Sequence, residues 1–180
     1  MSHQQTRYVV LFRGVGGATQ LPVKQLRTVL DDAGFSMVKT YINSGNAVLS
    51  SNLTGREVAD KVTALVGDRM GFEKSVLVAS AAEWAELIAQ NPYPEATGEP
   101  TKLHAALMER VPDADKITAL AQKATGTERF DIRGRVLYLH TPDGMGRSRF
   151  APKIQPTLKL SMTARNWRSV LALGKMAGLS

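Results

Sequence analysis

Apolar positions along this chain switch between two periods. Tyr8 to Phe12 (YVVLF) is a run of β-branched and aromatic residues closed by Arg13-Gly14, which predicts a buried strand. Past a glycine-rich loop, Pro22 suits a first helical turn. Val23, Leu26, Leu30 and Ala33 then recur at helical spacing, and Gly34 suits the stop. Met37 to Asn43 and Ala47 to Ser50 flank Ser44-Gly45-Asn46, where glycine permits positive φ, so a β-hairpin is predicted. Thr54 is placed to cap a second helix with Val58, Val62, Leu65 and Val66 inside, and Ser75 to Ala79 (SVLVA) is another strand. The order β-α-β-β-α-β is that of a ferredoxin-like unit.

A connecting helix from about Ala81 carries Trp84, Leu87 and Ile88, after which NPYPEATGEPT, residues 91–101, breaks the pattern with three prolines. The pattern then restarts. Leu103 to Met108 reads as strand, and Pro112 opens a helix with Ile117, Leu120 and Ala124 that Gly126 ends. Phe130 to Ile132 and Val136 to His140 form a hairpin about Arg133-Gly134. The fold class expected is α+β. It has two related ferredoxin-like (βαββαβ-type) subdomains, the second incomplete or irregular, with a basic amphipathic helix at the C-terminus. The expected boundaries are 1–90 for the first unit with its connecting helix, 91–101 for a linker and 102–180 for the second unit.

The halves compare by counting. Pro22 to Gly45 spans 23 positions and Pro112 to Gly134 spans 22, but strand start to proline is 14 (Tyr8 to Pro22) against 9 (Leu103 to Pro112). If the chain is an internal repeat, the first half carries about five extra residues in GVGGATQ. Residues beyond what topology requires are candidates for function.

Charge sharpens this picture. Residues 144–180 hold seven Lys or Arg and no Asp or Glu; removing those seven from 23 basic residues leaves 16 against 16 acidic ones, so this segment carries the whole net charge of +7. Its apolar residues, Phe150, Ile154, Leu158, Trp167 and Val170 among them, predict folded structure with a basic face and an anionic partner. The absence of cysteine excludes thiol nucleophiles, thiolate metal sites and disulfides and suits a reducing compartment. The opening MSHQQTR lacks a signal-peptide core, and no apolar run reaches the roughly 20 residues that span a bilayer, so a cytoplasmic location is expected.

Candidate chemistry sits in a few places. RGVGGATQ, residues 13–20, joins strand to helix and offers backbone amides and the Arg13 guanidinium to an anion; its bland reading is a corner that merely turns. It lacks the Gly-Lys-Ser/Thr ending of a P-loop and the last glycine of a dinucleotide fingerprint. No cofactor is expected. In TARNWRSVLALGK, a helix capped by Thr163 would put Arg165, Arg168 and Lys175 within about 80° of one another, opposite Trp167, Val170, Leu171 and Gly174. Gly144 to Phe150 sets Arg147, Ser148 and Arg149 beside two glycines, while Ser148 lacks the context of a nucleophile. His104 and His140, with Asp143 near, are read as ordinary strand histidines rather than a metal site. Alternation puts Lys39, Tyr41 and Asn43 opposite Val38 and Ile42, and Tyr138 and His140 opposite Leu137 and Leu139, with the apolar sets toward the helices. An open Tyr-bearing face would resemble that of an RNA-recognition module, but Arg135 stands where that motif wants an aromatic residue.

Taken together, LFRG, GG and LP at the start, LRTVLDDAGFSMVKTYINSGNAVL, NPYP, LYLHTPDGMGRSRF and TARNWRSVLAL resemble the bacterial domain-of-unknown-function 1697 family over nearly the whole chain. The resemblance implies paired α+β units of ferredoxin-like character and assigns no activity. It marks Arg13, Gly14, Gly16 and Gly17; Tyr41, Ser44, Gly45 and Asn46; Gly146, Arg147 and Ser148; and Thr163, Arg165, Asn166 and Trp167. The family's RGINVGG is shortened here to RGVGG, so any contact its asparagine makes is lost.

Three functional readings follow. The first is a binding protein for an anionic small molecule or nucleic acid, with charge from Arg13, Arg147, Arg149, Arg165 and Arg168. The second is an enzyme arranging Tyr41, Ser44, Asn46, Arg147 and Arg165 around a small polar substrate. The third is a structural or interaction module, monomeric or paired as a homodimer through a sheet edge. None involves a membrane or a bound metal.

Overall fold

The computed structural model describes residues 4–15, 20–42 and 45–180. Contacts divide the chain into two compact units, residues 1–86 with 172–180, and residues 87–171. The division falls inside helices α3 (Ala81–Ala89) and α6 (Trp167–Met176). Residues 91–101 contain a short 3-10 turn, Pro94–Ala96, with Tyr93 and Ala96 buried. Among the described residues no helix is long and apolar enough to cross a membrane.

The first unit runs β1 (Thr6–Phe12), α1 (Val23–Asp32), β2 (Ser36–Thr40), β3 (Asn46–Ser51), α2 (Gly55–Met70) and β4 (Val76–Ser80). Its antiparallel sheet has the order β2-β3-β1-β4. Tyr8, Val10 and Phe12 of β1 pack with Leu26 and Leu30 of α1 and with Val58, Val62 and Val66 of α2, as the two periods require. The Thr54 hydroxyl accepts from the Glu57 amide and the Glu57 carboxylate accepts from the Thr54 amide, a complete capping box; Gly71 closes α2 at φ +66°.

The hairpin departs from the expected alternation. The pairing of Ser36 with Ser50 and of Lys39 with Val48 leaves one extra residue in β2, a bulge that throws Met37 outward at φ +52°. β2 then ends at Thr40, so Ile42, expected inside, is 55% exposed at φ +44°. Once the ladder stops, the period of two no longer aims side chains.

The second unit is complete, which corrects the expectation of an incomplete or irregular repeat. It runs β5 (Leu103–Met108), α4 (Ala114–Ala121), β6 (Arg129–Arg133), β7 (Val136–His140), α5 (Ala151–Leu158) and β8 (Met162–Asn166), with sheet order β6-β7-β5-β8. The topology is that of the first unit strand for strand. Two prolines hid α5. Pro152 lies in its first turn, where a missing N–H is harmless, and Pro156 stands inside the short helix, which stops at Lys159 with φ +53°. Phe150, fully buried, leads into it, and Ala106, Met108, Leu120, Leu137, Leu139, Ile154 and Leu158 complete this core.

The predicted helix from Thr163 is also corrected. Residues 162–166 pair with β5, Thr163 opposite Leu107 and Arg165 opposite Ala105, and α6 begins only at Trp167. Asn166 rather than Thr163 provides the cap, its Oδ1 accepting from the Ser169 amide at 3.0 Å. Leu171, expected on the buried side of this helix, is 47% exposed.

Candidate functional site

Three connections of the first unit meet at one end of its sheet. The chain leaving β1 turns at Gly14 with φ +64°, and a Cβ there would lie 2.2 Å from the Lys74 Nζ. Lys74 donates to the Gly14 carbonyl at 3.4 Å, and Arg13 Nη1 donates to the Ser75 hydroxyl at 3.2 Å, so the α2–β4 connection flanks the glycine on its basic side. The hairpin closes the other side. Gly45, at φ +77°, lies so near the β1 end that a Cβ would meet Val15 Cγ2 at 2.7 Å and Phe12 Cβ at 2.9 Å, and its carbonyl accepts from the Phe12 amide at 2.8 Å. Only glycine combines that φ with that approach.

Asn46 has a structural duty here. It is 1% exposed; its Nδ2 donates to the Tyr41 carbonyl at 3.1 Å, and its carbonyl accepts from the Tyr41 amide at 3.1 Å. Tyr41 itself is partly buried. Gly16, Gly17 and Ser44 lie outside the described residues. Lys74 was missed in the sequence; the signal for it is a Lys-Ser pair immediately before the apolar run of β4. Neither Arg13 nor Lys74 has a carboxylate within ion-pair distance among the described residues.

The second-unit candidates do not lie on one helix. Arg147 lies in a 3-10 turn, Met145–Arg147, and Arg149 just beyond it, both exposed. Ser148 between them is engaged, since its hydroxyl accepts from the Ala151 amide at 2.8 Å and starts α5. Arg165 lies on strand β8, not on a helix with Arg168, because its segment pairs with β5. Its Nη1 donates to the Thr163 hydroxyl at 2.7 Å and to the Ala164 carbonyl at 2.9 Å, and burial lowers its pKa to about 10, which leaves it charged at neutral pH. Arg168 is exposed on α6. The seven basic residues of the C-terminal segment are thus spread over a turn, a helix, a strand and a second helix.

The two histidines part company for the same geometric reason. His104 stands opposite Leu139 and His140 opposite Leu103, so they occupy opposite faces of the sheet and cannot share a metal. His140 joins a polar cluster the sequence did not suggest. Arg129 lies 4.7 Å over the Tyr93 ring, bonds Glu95 Oε1 at 2.5 Å and approaches His140 Nδ1 at 3.3 Å. Burial first, and Arg129 next, lower the His140 pKa. The Tyr138 ring is 1% exposed with its hydroxyl on the Leu87 carbonyl at 2.6 Å, so it is no platform for a base.

Residues 5–138 match the family described as Protein of unknown function (DUF1697). Among solved structures, that of the conserved bacterial protein SP0830 from Streptococcus pneumoniae is similar, with a TM-score of 0.77 at 19% identity over 97% of this chain and 99% of that one. At that identity the likeness concerns the fold. No curated protein matches the chain. The chain belongs to the DUF1697 family.

Proposed function

We propose that this is a cytoplasmic protein binding a small phosphate-bearing anion at the loop end of its first unit. The observation that carries the reading is the convergence of Arg13 and Lys74 on Gly14 with no paired carboxylate among the described residues. Guanidinium and ammonium supply a fork and a point charge, and an anion placed between them takes the counter-charge the protein withholds. The exposed Ile42 at φ +44° supports the reading, since a β-branched residue held in that region stores strain of the kind found beside ligand sites. The absence of cysteine suits a reducing compartment. The enzyme reading loses support from Asn46 and Ser148, whose polar atoms hold the hairpin and start α5.

Titration calorimetry with inorganic pyrophosphate and ribose 5-phosphate at low and moderate salt tests this. Binding that weakens as salt rises, and falls at least about tenfold in Arg13→Gln with Lys74→Gln, supports it. Equal binding by that double variant, or none to either probe at low salt, refutes it. Tight binding to an oligonucleotide but to neither small anion would move the reading to nucleic acid.

A further inference from the structure

The registers make the two units superimposable on paper. Tyr8 stands opposite Leu49 on β3 and Ser80 on β4; His104 stands opposite Leu139 on β7 and Asn166 on β8. Counting from the ends of β1 and β5, Phe12 corresponds to Met108, Val10 to Ala106 and Tyr8 to His104, all on the helix-facing side. In the first unit Tyr8 is 5% exposed and fills the space before α2, its hydroxyl donating to the Leu53 carbonyl at 2.7 Å. The second unit replaces Tyr with His and Val with Ala, both smaller.

A cavity of about 260 Å³ opens where that ring would be, between the sheet and α5. His104, Ala106, Leu139, Met145, Ile154 and Met162 line it, and no formally charged residue does. His104 Nδ1 is buried with no hydrogen-bond partner among the described residues. An orphaned buried polar atom costs about 1–3 kcal/mol and calls for an occupant that satisfies it. The space far exceeds the roughly 10–15 Å³ that one water needs, and its wall is mainly apolar, with Gln155 and Thr163 as the polar side chains beside His104. It lies just under the range of about 300–1,000 Å³ usual for drug-sized ligands, which points to a single ring.

We propose that the second unit binds a small uncharged phenol or ring-bearing alcohol between its sheet and α5, with His104 as the partner of the hydroxyl. The first unit states the chemistry, since it places a phenol of its own at the corresponding position. A hydroxyl both donates and accepts, so it pairs with either tautomer of a neutral imidazole. A carboxylate or ammonium finds no counter-charge in the wall and is excluded by its desolvation cost.

The test uses p-cresol, the Tyr side chain as a free molecule, and toluene, which lacks only the hydroxyl. The full chain with ¹³C-labelled methionine methyls reports through Met145 and Met162. Saturable shifts with p-cresol, at least about tenfold weaker with toluene, and loss of that preference in His104→Phe support the proposal. His104→Tyr with Ala106→Val installs the first unit's pair and abolishes p-cresol binding; where that variant does not fold, His104→Phe alone decides. No saturable shift, equal affinity for the two probes, an unchanged preference in His104→Phe, or a long-lived water at His104 that p-cresol does not displace overturns it.

Discussion

The two units share one topology and differ in what hangs from it. Ten residues, 13–22, join β1 to α1, whereas five, 109–113, join β5 to α4, the difference of five that the strand-to-proline counts imply. The first unit invests its extra length at the loop end of the sheet, where Arg13 and Lys74 flank a glycine turn. The second makes a tight turn there and instead loosens its core under α5, where His104 replaces a tyrosine. A duplicated scaffold thus carries its two candidate sites at different places, one in a connection and one in the packing. A sheet of fixed register tolerates changes at loops and at single core positions far more readily than a shift of pairing, which would move every side chain on a strand to the other face.

The comparison is most exposed at its paired core position. Tyr8→Ala removes a buried aromatic and a satisfied hydroxyl and is expected to lower stability by about 3–5 kcal/mol in urea unfolding. His104→Ala costs no more than about 2 kcal/mol, because an unsatisfied nitrogen leaves with the ring. Equal losses would mean that His104 is packed and bonded as Tyr8 is.

Acid sharpens the same contrast. Burial lowers the His104 pKa from 6.5 to about 4, below the value of the unfolded chain. The unfolded chain therefore binds a proton first as pH falls, so the contribution is whole above about 6.5 and is lost toward pH 4, on the order of 3 kcal/mol in all. The wild-type curve minus that of His104→Leu isolates this term, since the other titrating groups cancel. A flat difference between pH 7 and pH 4 contradicts it.

Asn46 and Val136 occupy matching places at the starts of β3 and β7, yet only the asparagine closes a five-residue loop. Asn46→Val should cost about 1–3 kcal/mol by leaving the Tyr41 carbonyl without its donor, and amide exchange at the hairpin should quicken. Substituting Val136 by Asn gives no matching gain. The smallest effect concerns the starts of α2 and α5. Thr54→Ala and Ser148→Ala each remove a hydroxyl that accepts a helix-start amide and should each cost about 1 kcal/mol in thermal unfolding. An Arg147 and Arg149 loop indifferent to Ser148→Ala would return the serine to the functional candidates.

Much of the fold was legible because its signals are local. The apolar runs of β1 and β5, the stripe of Val58, Val62 and Val66, the Thr54 cap and the hairpin glycine each act within a few residues, and each appears where the periods place it. The four residues TARN were misread because helix and strand periods diverge too little over so short a span; pairing with β5, from 54 positions earlier at Met108↔Met162 to 62 at His104↔Asn166, decides for strand. The candidate sites were less legible than the elements. Arg13 was visible, but Lys74 joins it only through the return of the chain from α2 to β4. His104 and His140 looked like neighbours until register put them on opposite faces.

The sequence by itself determined the alternation of elements from β1 to β7, the repeat with its five extra residues and the local charge imbalance, since composition, capping and period are properties of near neighbours. Tertiary structure alone decided which basic residues converge, which polar atoms are already used in holding the chain, and that a cavity lies where one unit has a ring and the other an imidazole. Those outcomes depend on cross-strand register and on packing between residues far apart in the chain, and no local pattern encodes either.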